Sequence, residues 1–231
     1  MKSILMIADK RDTLVLLCDE LGSAGFQITA ARDGESGLTE LKKATPDLLV
    51  LDFFLPGMSG LQICGAVRRD VRLNRLPILV LNAGRGEADC VSALEMGADG
   101  FVTEPVTPRE LIARIKALLR RVEPPRCRGQ VLKQGSLTID TDSLRVTQSG
   151  KVVPLSLLEF RLLCHFCSHP NVIFTREQLL NTVWGADQFV TDRSVDVCVR
   201  RLRKRIEADP ENPELLHTVR GAGYVLDGRM I

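Results

Sequence analysis

No apolar run in the 231 residues approaches the roughly 18–20 needed to cross a bilayer, so nothing reads as a transmembrane helix. Met1-Lys2-Ser3 leads into a short apolar run that Asp9 ends too soon for a secretory signal. Seven cysteines at irregular spacing do not make the disulfide framework of a small secreted domain. No Gly-x-Gly-x-x-Gly or Walker motif follows the first apolar run, and Ile7-Ala8-Asp9-Lys10-Arg11-Asp12-Thr13 has no glycine-rich phosphate loop, which argues against a nucleotide- or flavin-binding enzyme. A structural zinc site needs four convergent ligands. Cys164-His165-Phe166-Cys167-Ser168-His169 would put Cys164 and Cys167 on one helix face with His165 pointing elsewhere, so these residues read as core. Cys18, Cys64, Cys90 and Cys198 lack an evident activating neighbour and read as packed thiols. Charge excludes nothing, since 31 basic and 29 acidic residues leave a net +2. A reduced, cytoplasmic protein with no membrane partner and no enzymatic activity is expected. With 45% hydrophobic and 26% charged residues it has enough apolar material for one large or two modest domains.

The two halves of the chain have different grammar. Residues 1–121 alternate short apolar runs, Ile4–Ala8, Phe26–Ala30, Leu48–Leu51, Ile78–Leu81 and Phe101-Val102, with amphipathic stretches. The middle runs lack polar alternation, as strands buried on both faces of a parallel sheet do. Leu14, Leu17, Cys18 and Leu21 repeat at helical spacing, as do Leu111, Ile112, Ile115, Leu118 and Leu119. Strand then helix, five times over, predicts an α/β domain with a five-stranded parallel, doubly wound, flavodoxin-like sheet. Ligand chemistry in such sheets lies beyond the carboxyl ends of the strands, where Asp9, Asp52, Asn82 and Glu104 fall. Glu123-Pro124-Pro125 through Gly129 stops any helix, which makes 122–130 a linker. Residues 131–231 then show three short strand-like pieces near 137–153. Helical stretches follow near 156–168, 175–184 and 193–208, and two strands flank Gly221-Ala222-Gly223. That order suggests a winged helix-turn-helix.

Basic residues concentrate in the last helical stretch, which carries Arg193, Arg200, Arg201, Arg203, Lys204 and Arg205. Projected at about 100° per residue, Val195, Val199, Leu202 and Ile206 turn inward, while Arg193, Val197, Arg200, Arg201 and Lys204 share the opposite face. Arginine pairs with phosphates or bidentately with guanine, and an aliphatic side chain can meet a thymine methyl. A solvated helix can look the same. The adjoining hairpin adds Arg220 beside Gly221, suited to probing a minor groove, and tips the reading toward DNA.

Pro154–Leu163, Thr175–Leu180, Val183-Trp184-Gly185, Arg193–Val197, Arg200–Lys204 and Thr218–Tyr224 resemble, in order, the effector domain of OmpR/PhoB-type response regulators. Pro46–Gly60, Glu95–Phe101 and Pro108–Leu111 resemble the receiver domain of the same family, so the resemblance covers nearly the whole chain. It implies a transcription regulator that binds promoter DNA as a dimer. The helix at 193–208 would enter the major groove, the hairpin the minor groove, and the loop from Trp184 to Asp192 would face RNA polymerase. Cys198 stands where histidine is usual, beside the groove face.

The resemblance also implies a phosphorylation pocket, and here the chain departs from the family. Asp52 occupies the phosphoacceptor position and Phe54 would offer a backbone carbonyl. A Mg²⁺ ion would draw on Asp9, Asp52 and that carbonyl, but Ala8 replaces one of the usual acid pair and Lys10 the acid that usually follows. Asn82 replaces the switch hydroxyl and Glu104 the phosphate-gripping lysine, while Phe101 keeps the aromatic switch position. Like charges about 4 Å apart cost about 4 kcal/mol at an effective dielectric near 20, so Glu104 opposes a phosphoryl group. No cofactor is expected, and any Mg²⁺ would be held weakly. On the dimer face implied by the family, Asp99 and Arg121 match one ion pair; Glu110 faces Cys90 instead of a basic residue, and Arg114 faces Gly100 instead of an acid. Three readings stay open: a DNA-binding regulator controlled without phosphorylation, one phosphorylated on Asp52 by a histidine kinase, and a receiver that serves chiefly for protein docking.

Overall fold

The computed structural model describes all residues except 82–86, 104, 122–128, 130, 186–190 and 229–231; the side chains at 11–13, 87 and 121 are likewise outside the described set. The chain divides into two units, Met1–Val122 and Glu123–Ile231. The expected linker falls almost wholly on residues outside the description.

The first unit is built from β1 (Ser3–Ile7), α1 (Arg11–Ser23), β2 (Gln27–Ala31), α2 (Gly34–Lys43), β3 (Leu48–Asp52), α3 (Gly60–Arg69), β4 (Ile78–Leu81), α4 (Glu87–Met96), β5 (Gly100–Val102) and α5 (Pro108–Arg121). The strands form one parallel sheet in the order β2-β1-β3-β4-β5. Their period of two sorts the core into two layers. Ile4, Met6, Leu48, Val50 and Leu79 pack with Leu14, Leu17 and Leu21 of α1 and Leu111, Ile115 and Leu118 of α5. Leu5, Ile7, Leu49, Leu51 and Val80 turn the other way onto Leu41, Ile63, Val67 and Ala93 of α2, α3 and α4. Because both faces are covered, the central strands carry no polar alternation. The strand order reverses between β1 and β3, which opens a crevice at their carboxyl ends.

Local signals set the helix starts. Asp33 caps α2 by accepting from the Ser36 N–H at 2.8 Å, and that bond is the main cause holding its carboxyl below the usual range. Ser59 and Gln62 form a reciprocal capping box on α3. Gly60 is required by close approach, since a Cβ there would collide with the carbonyl oxygen of Asp52. Its N–H donates to Phe53 O at 3.2 Å, folding the β3–α3 loop back onto the strand end.

The second unit opens with an antiparallel meander of β6 (Val131–Gln134), β7 (Leu137–Asp140), β8 (Arg145–Gln148) and β9 (Lys151-Val152). The apolar pattern does not reveal β6, because on this edge strand Val131 points to solvent and Gln134 points inward. Then come α6 (Leu157–Cys167), α7 (Arg176–Leu179, continued by one π-helical turn over Leu180–Trp184), α8 (Asp192–Ile206), β10 (Leu216–Val219) and β11 (Gly223–Leu226). Within the widened turn, Thr182 Oγ1 donates to Gln178 O at 2.6 Å, a side-chain competitor for the helical ladder. Phe160, Leu163, Phe166, Val183, Trp184, Val195, Val199, Leu202, Ile206 and Leu226 form one core.

The hairpin is anchored through Phe174, whose backbone exchanges two hydrogen bonds with Tyr224 (2.9 and 3.0 Å). Gly223, at φ +140°, sits against that segment, and a Cβ there would meet Phe174 O. The Glu207 carboxylate accepts backbone N–H groups of Glu214, Leu215 and Leu216, closing the connection from α8 to β10.

Candidate nucleic-acid interface and phosphoacceptor pocket

The inward face of α8 is as expected, with Val195, Val199, Leu202 and Ile206 all buried. The outward face is narrower than the projection predicts. Val197 is only 5% exposed, so it offers a base no more than the tip of its side chain, and Cys198 is buried in the core. The cause is packing on two sides: α8 lies against both α6 and α7, so more of its circumference is covered than a helix resting on one layer would lose.

Two of the expected DNA-contacting arginines are engaged inside the domain. Arg201 Nε donates to Glu159 Oε1 at 2.9 Å, and Arg201 Nη2 meets Ser156 Oγ at 3.2 Å. Glu159 meanwhile closes the capping box of α6 by accepting the Ser156 N–H at 2.8 Å. This ion pair is buried, with side-chain exposures of 12% and 4%. Arg203 Nε donates to Leu216 O and Nη2 to Thr218 Oγ1, both at 2.8 Å, and its guanidinium lies over the Tyr224 ring. Burial pushes the Arg203 pKa down. Arg201 and Arg203 therefore connect α8 to α6 and to β10. Arg193, Arg200, Lys204 and Arg205 line the exposed side of α8, and Arg220 is exposed at the hairpin tip.

Sequence reasoning missed a cluster at the junction of α7, α8 and β11. Asp196 Oδ1 accepts from Arg176 Nε at 2.7 Å and from the Tyr224 hydroxyl at 2.6 Å. Arg176 also lies over the Tyr224 ring, its Cζ 5.1 Å from the centroid. Burial, then the bond to Asp196, pushes the Tyr224 hydroxyl up to about 12, and the same carboxylate raises Arg176. The one sequence signal was an acid, Asp196, within a basic helix. Trp184, the expected start of a polymerase-facing loop, is buried in the core, and 186–190 lie outside the described residues.

In the receiver unit, β3 ends on Asp52, which is 3% exposed and accepts the Phe54 N–H at 3.0 Å through Oδ1. Phe54 itself is 62% exposed. Across the β1/β3 crevice, Ala8 is buried while Asp9 and Lys10 are exposed before α1. Phe101 lies on β5, half-buried. Asn82 and Glu104 lie outside the described residues. Among the described residues, no group of three or more His, Cys, Asp and Glu is disposed to hold a metal.

The expected dimer-face residues are partly spoken for. Asp99 is buried and pairs within its own chain: Arg68 Nη2 donates to Asp99 Oδ2 at 2.6 Å, and the Ile78 N–H donates to the same oxygen at 2.8 Å. Asp99 is thus tied to Arg68 and to β4 through Oδ2, while the Arg121 side chain expected to pair with it across the dimer lies outside the described set. Glu110 and Arg114 pair with each other at 2.7 Å, and Arg114 Nη1 donates to Phe101 O at 2.9 Å. Cys90 lies half-buried on α4.

A five-stranded parallel receiver sheet, and a separate winged-helix unit whose last helix and hairpin expose arginines, define a two-domain response regulator with a DNA-binding effector domain. Residues 4–116 match the family described as response regulator receiver domain, and residues 150–226 match transcriptional regulatory protein, C terminal. The chain is 40% identical over 228 residues to the phosphate regulon transcriptional regulatory protein PhoB of Klebsiella pneumoniae, covering 99% of each. It is likewise 40% identical over 230 residues to the sensory transduction protein RegX3 of Mycobacterium tuberculosis, covering 99% of this chain and all of the relative. Among solved structures, DrrB, an OmpR/PhoB homologue of Thermotoga maritima, is 30% identical with a TM-score of 0.51, covering 99% of this chain and 100% of that one. A mutant of RitR is 25% identical with a TM-score of 0.78, covering 98% and 99%. The chain belongs to the OmpR/PhoB family of response regulators. Among the described residues, no helix is long and apolar enough to cross a membrane.

Proposed function

We propose that this protein is a sequence-specific transcriptional regulator whose receiver works without the aspartyl-phosphate switch. Promoter DNA is the partner of the α8–hairpin surface. Arg193, Arg200 and Lys204 would supply phosphate and base contacts in the major groove, and Arg220 would reach the minor groove. The exposure of these basic residues on one helix and one adjoining tip carries that reading. A duplex footprint that neutralises several phosphates should lose affinity steeply with salt. A flat salt titration would instead favour a receiver used chiefly for docking.

The receiver reading is carried by the charge pattern at the carboxyl end of β1. Ala8 puts a buried methyl where an acid ligand is needed, and Lys10 places a cation at the same rim. Asp9 and Asp52, with the Phe54 carbonyl, are a thin donor set for a cation that demands near-ideal octahedral oxygen ligation, and they do not fit a tightly held Mg²⁺. Glu104 adds a carboxylate where a phosphoryl group requires a cation. RNA polymerase and a second copy are the remaining partners we assign. Glu110 and Arg114 satisfy each other within one chain, so a receiver dimer would rest on apolar contacts.

The deciding experiment is intact mass after incubation with acetyl phosphate and Mg²⁺. No phosphoryl gain, in protein that still binds DNA, is expected. A gain that Asp52→Ala abolishes would overturn the reading and call for a cognate histidine kinase.

A further inference from the structure

The exposed arginines of the candidate DNA surface sit on two separate elements, and a hairpin on its own is a poorly fixed platform. The structure supplies a joint between them. Tyr224, the second residue of β11 and opposite Thr218, is covered on its ring by two guanidiniums, Arg176 at 5.1 Å and Arg203 at 5.8 Å. Its hydroxyl donates to Asp196 of α8 at 2.6 Å, and the same carboxylate oxygen accepts from Arg176 of α7 at 2.7 Å. Arg203, also on α8, reaches the opposite strand through Leu216 O and Thr218 Oγ1. One aromatic ring therefore ties α7, α8 and both hairpin strands, and it lies behind the exposed residues instead of among them: Tyr224 is 5% exposed. Charge-assisted bonds to a half-buried aspartate are shorter and stronger than neutral ones.

We propose that Tyr224, with Asp196, Arg176 and Arg203, is a positioning cluster that fixes the hairpin to α8 so that Arg220 engages DNA together with Arg200 and Lys204. This rests on the DNA reading of the hairpin tip given above. The cluster does not touch DNA; it acts through Arg220.

The test uses the full-length chain and a duplex that the wild-type protein selects from a randomised pool. Affinity is measured across a salt series for wild type, Tyr224→Phe, Arg220→Ala and the double variant. Tyr224→Phe keeps the ring and removes the hydroxyl, and its thermal unfolding is recorded in parallel. We expect Tyr224→Phe to weaken binding about fivefold, the equivalent of one hydrogen bond. Its slope of log affinity against log salt should fall by about one phosphate, as for Arg220→Ala. The double variant should bind no more weakly than Arg220→Ala alone. A loss of folded protein would lower the active fraction without changing the slope. Additive losses, or an unchanged slope in Tyr224→Phe, would overturn the positioning role while leaving the hairpin reading intact. An Arg220→Ala variant with wild-type affinity and slope would overturn the hairpin reading, and the positioning role with it. Asp196→Asn, which keeps an acceptor for the tyrosine but loses the charge on Arg176, should show the same non-additivity with Arg220→Ala; simple additivity there counts against the cluster.

Discussion

Each unit buries an arginine–carboxylate pair, and the two pairs do different things. In the receiver, Arg68 donates not only to Asp99 but to three backbone carbonyls, Gly97 at 2.8 Å, Asn74 at 2.9 Å and Leu76 at 2.7 Å. It staples the segment before β4 to the turn before β5. In the effector unit, Arg201 meets side chains, Glu159 and Ser156, and joins α8 to the start of α6. A guanidinium facing carbonyls cannot be swapped for an apolar group without orphaning them, whereas one facing a carboxylate can be replaced along with that carboxylate. The first pair is thus bound up with the main chain, whereas the second joins α8 to the side chains of Glu159 and Ser156.

The largest effect should come from Arg68→Met, which we expect to lower receiver stability by about 3–5 kcal/mol by leaving Asp99 and the carbonyls uncompensated. Adding Asp99→Asn should recover little of it; full recovery in denaturant melts would break the contrast. Arg201→Met should cost a similar amount alone by isolating a buried carboxylate. Here the double variant with Glu159→Gln, which preserves the capping box, should return most of the loss.

Next in size is the alkaline limb. Tyr224 is the one tyrosine in the chain, so tyrosinate absorbance reports it alone. Its folded pKa of about 12 lies above an unfolded value near 10, so its contribution is present in full below about pH 10. That contribution is lost as pH rises from about 10 toward 12. Cys167, raised by burial from 9.0 to about 12, adds a loss of the same sign. Tyr224→Phe should therefore flatten this limb only in part, and native protein should show little tyrosinate at pH 10. The smallest effect should be that of Asp52→Asn on DNA affinity, less than about twofold, well under the tenfold that 1.4 kcal/mol represents. A large change would restore Asp52 as a switch.

What was legible in the sequence was what repeats locally. The buried strands β1, β3 and β4 announce themselves as continuous apolar runs, and the inward valines of α8 follow from helical spacing. Hidden were the features set by distant partners. Val197 and Cys198 are covered because a second helix flanks α8, which a projection of α8 alone does not contain. Arg201 leaves the DNA face for a glutamate 42 positions away, and Asp99 finds its arginine 31 positions away. Composition counted six basic residues on one helix, but only tertiary contact divides them into connectors and exposed groups.

The close seat of Gly223 against Phe174 has an evolutionary consequence. Gly223 directly follows the turn and pairs with Val219, so the hairpin is pinned against Phe174 right beside its tip. Arg220 and Ala222, in the turn beside that pin, can be exchanged in descendants of this chain without disturbing it. Any side chain at Gly223 must displace β11 and the Phe174 segment together and would be purged as a folding defect before its effect on recognition could be tried.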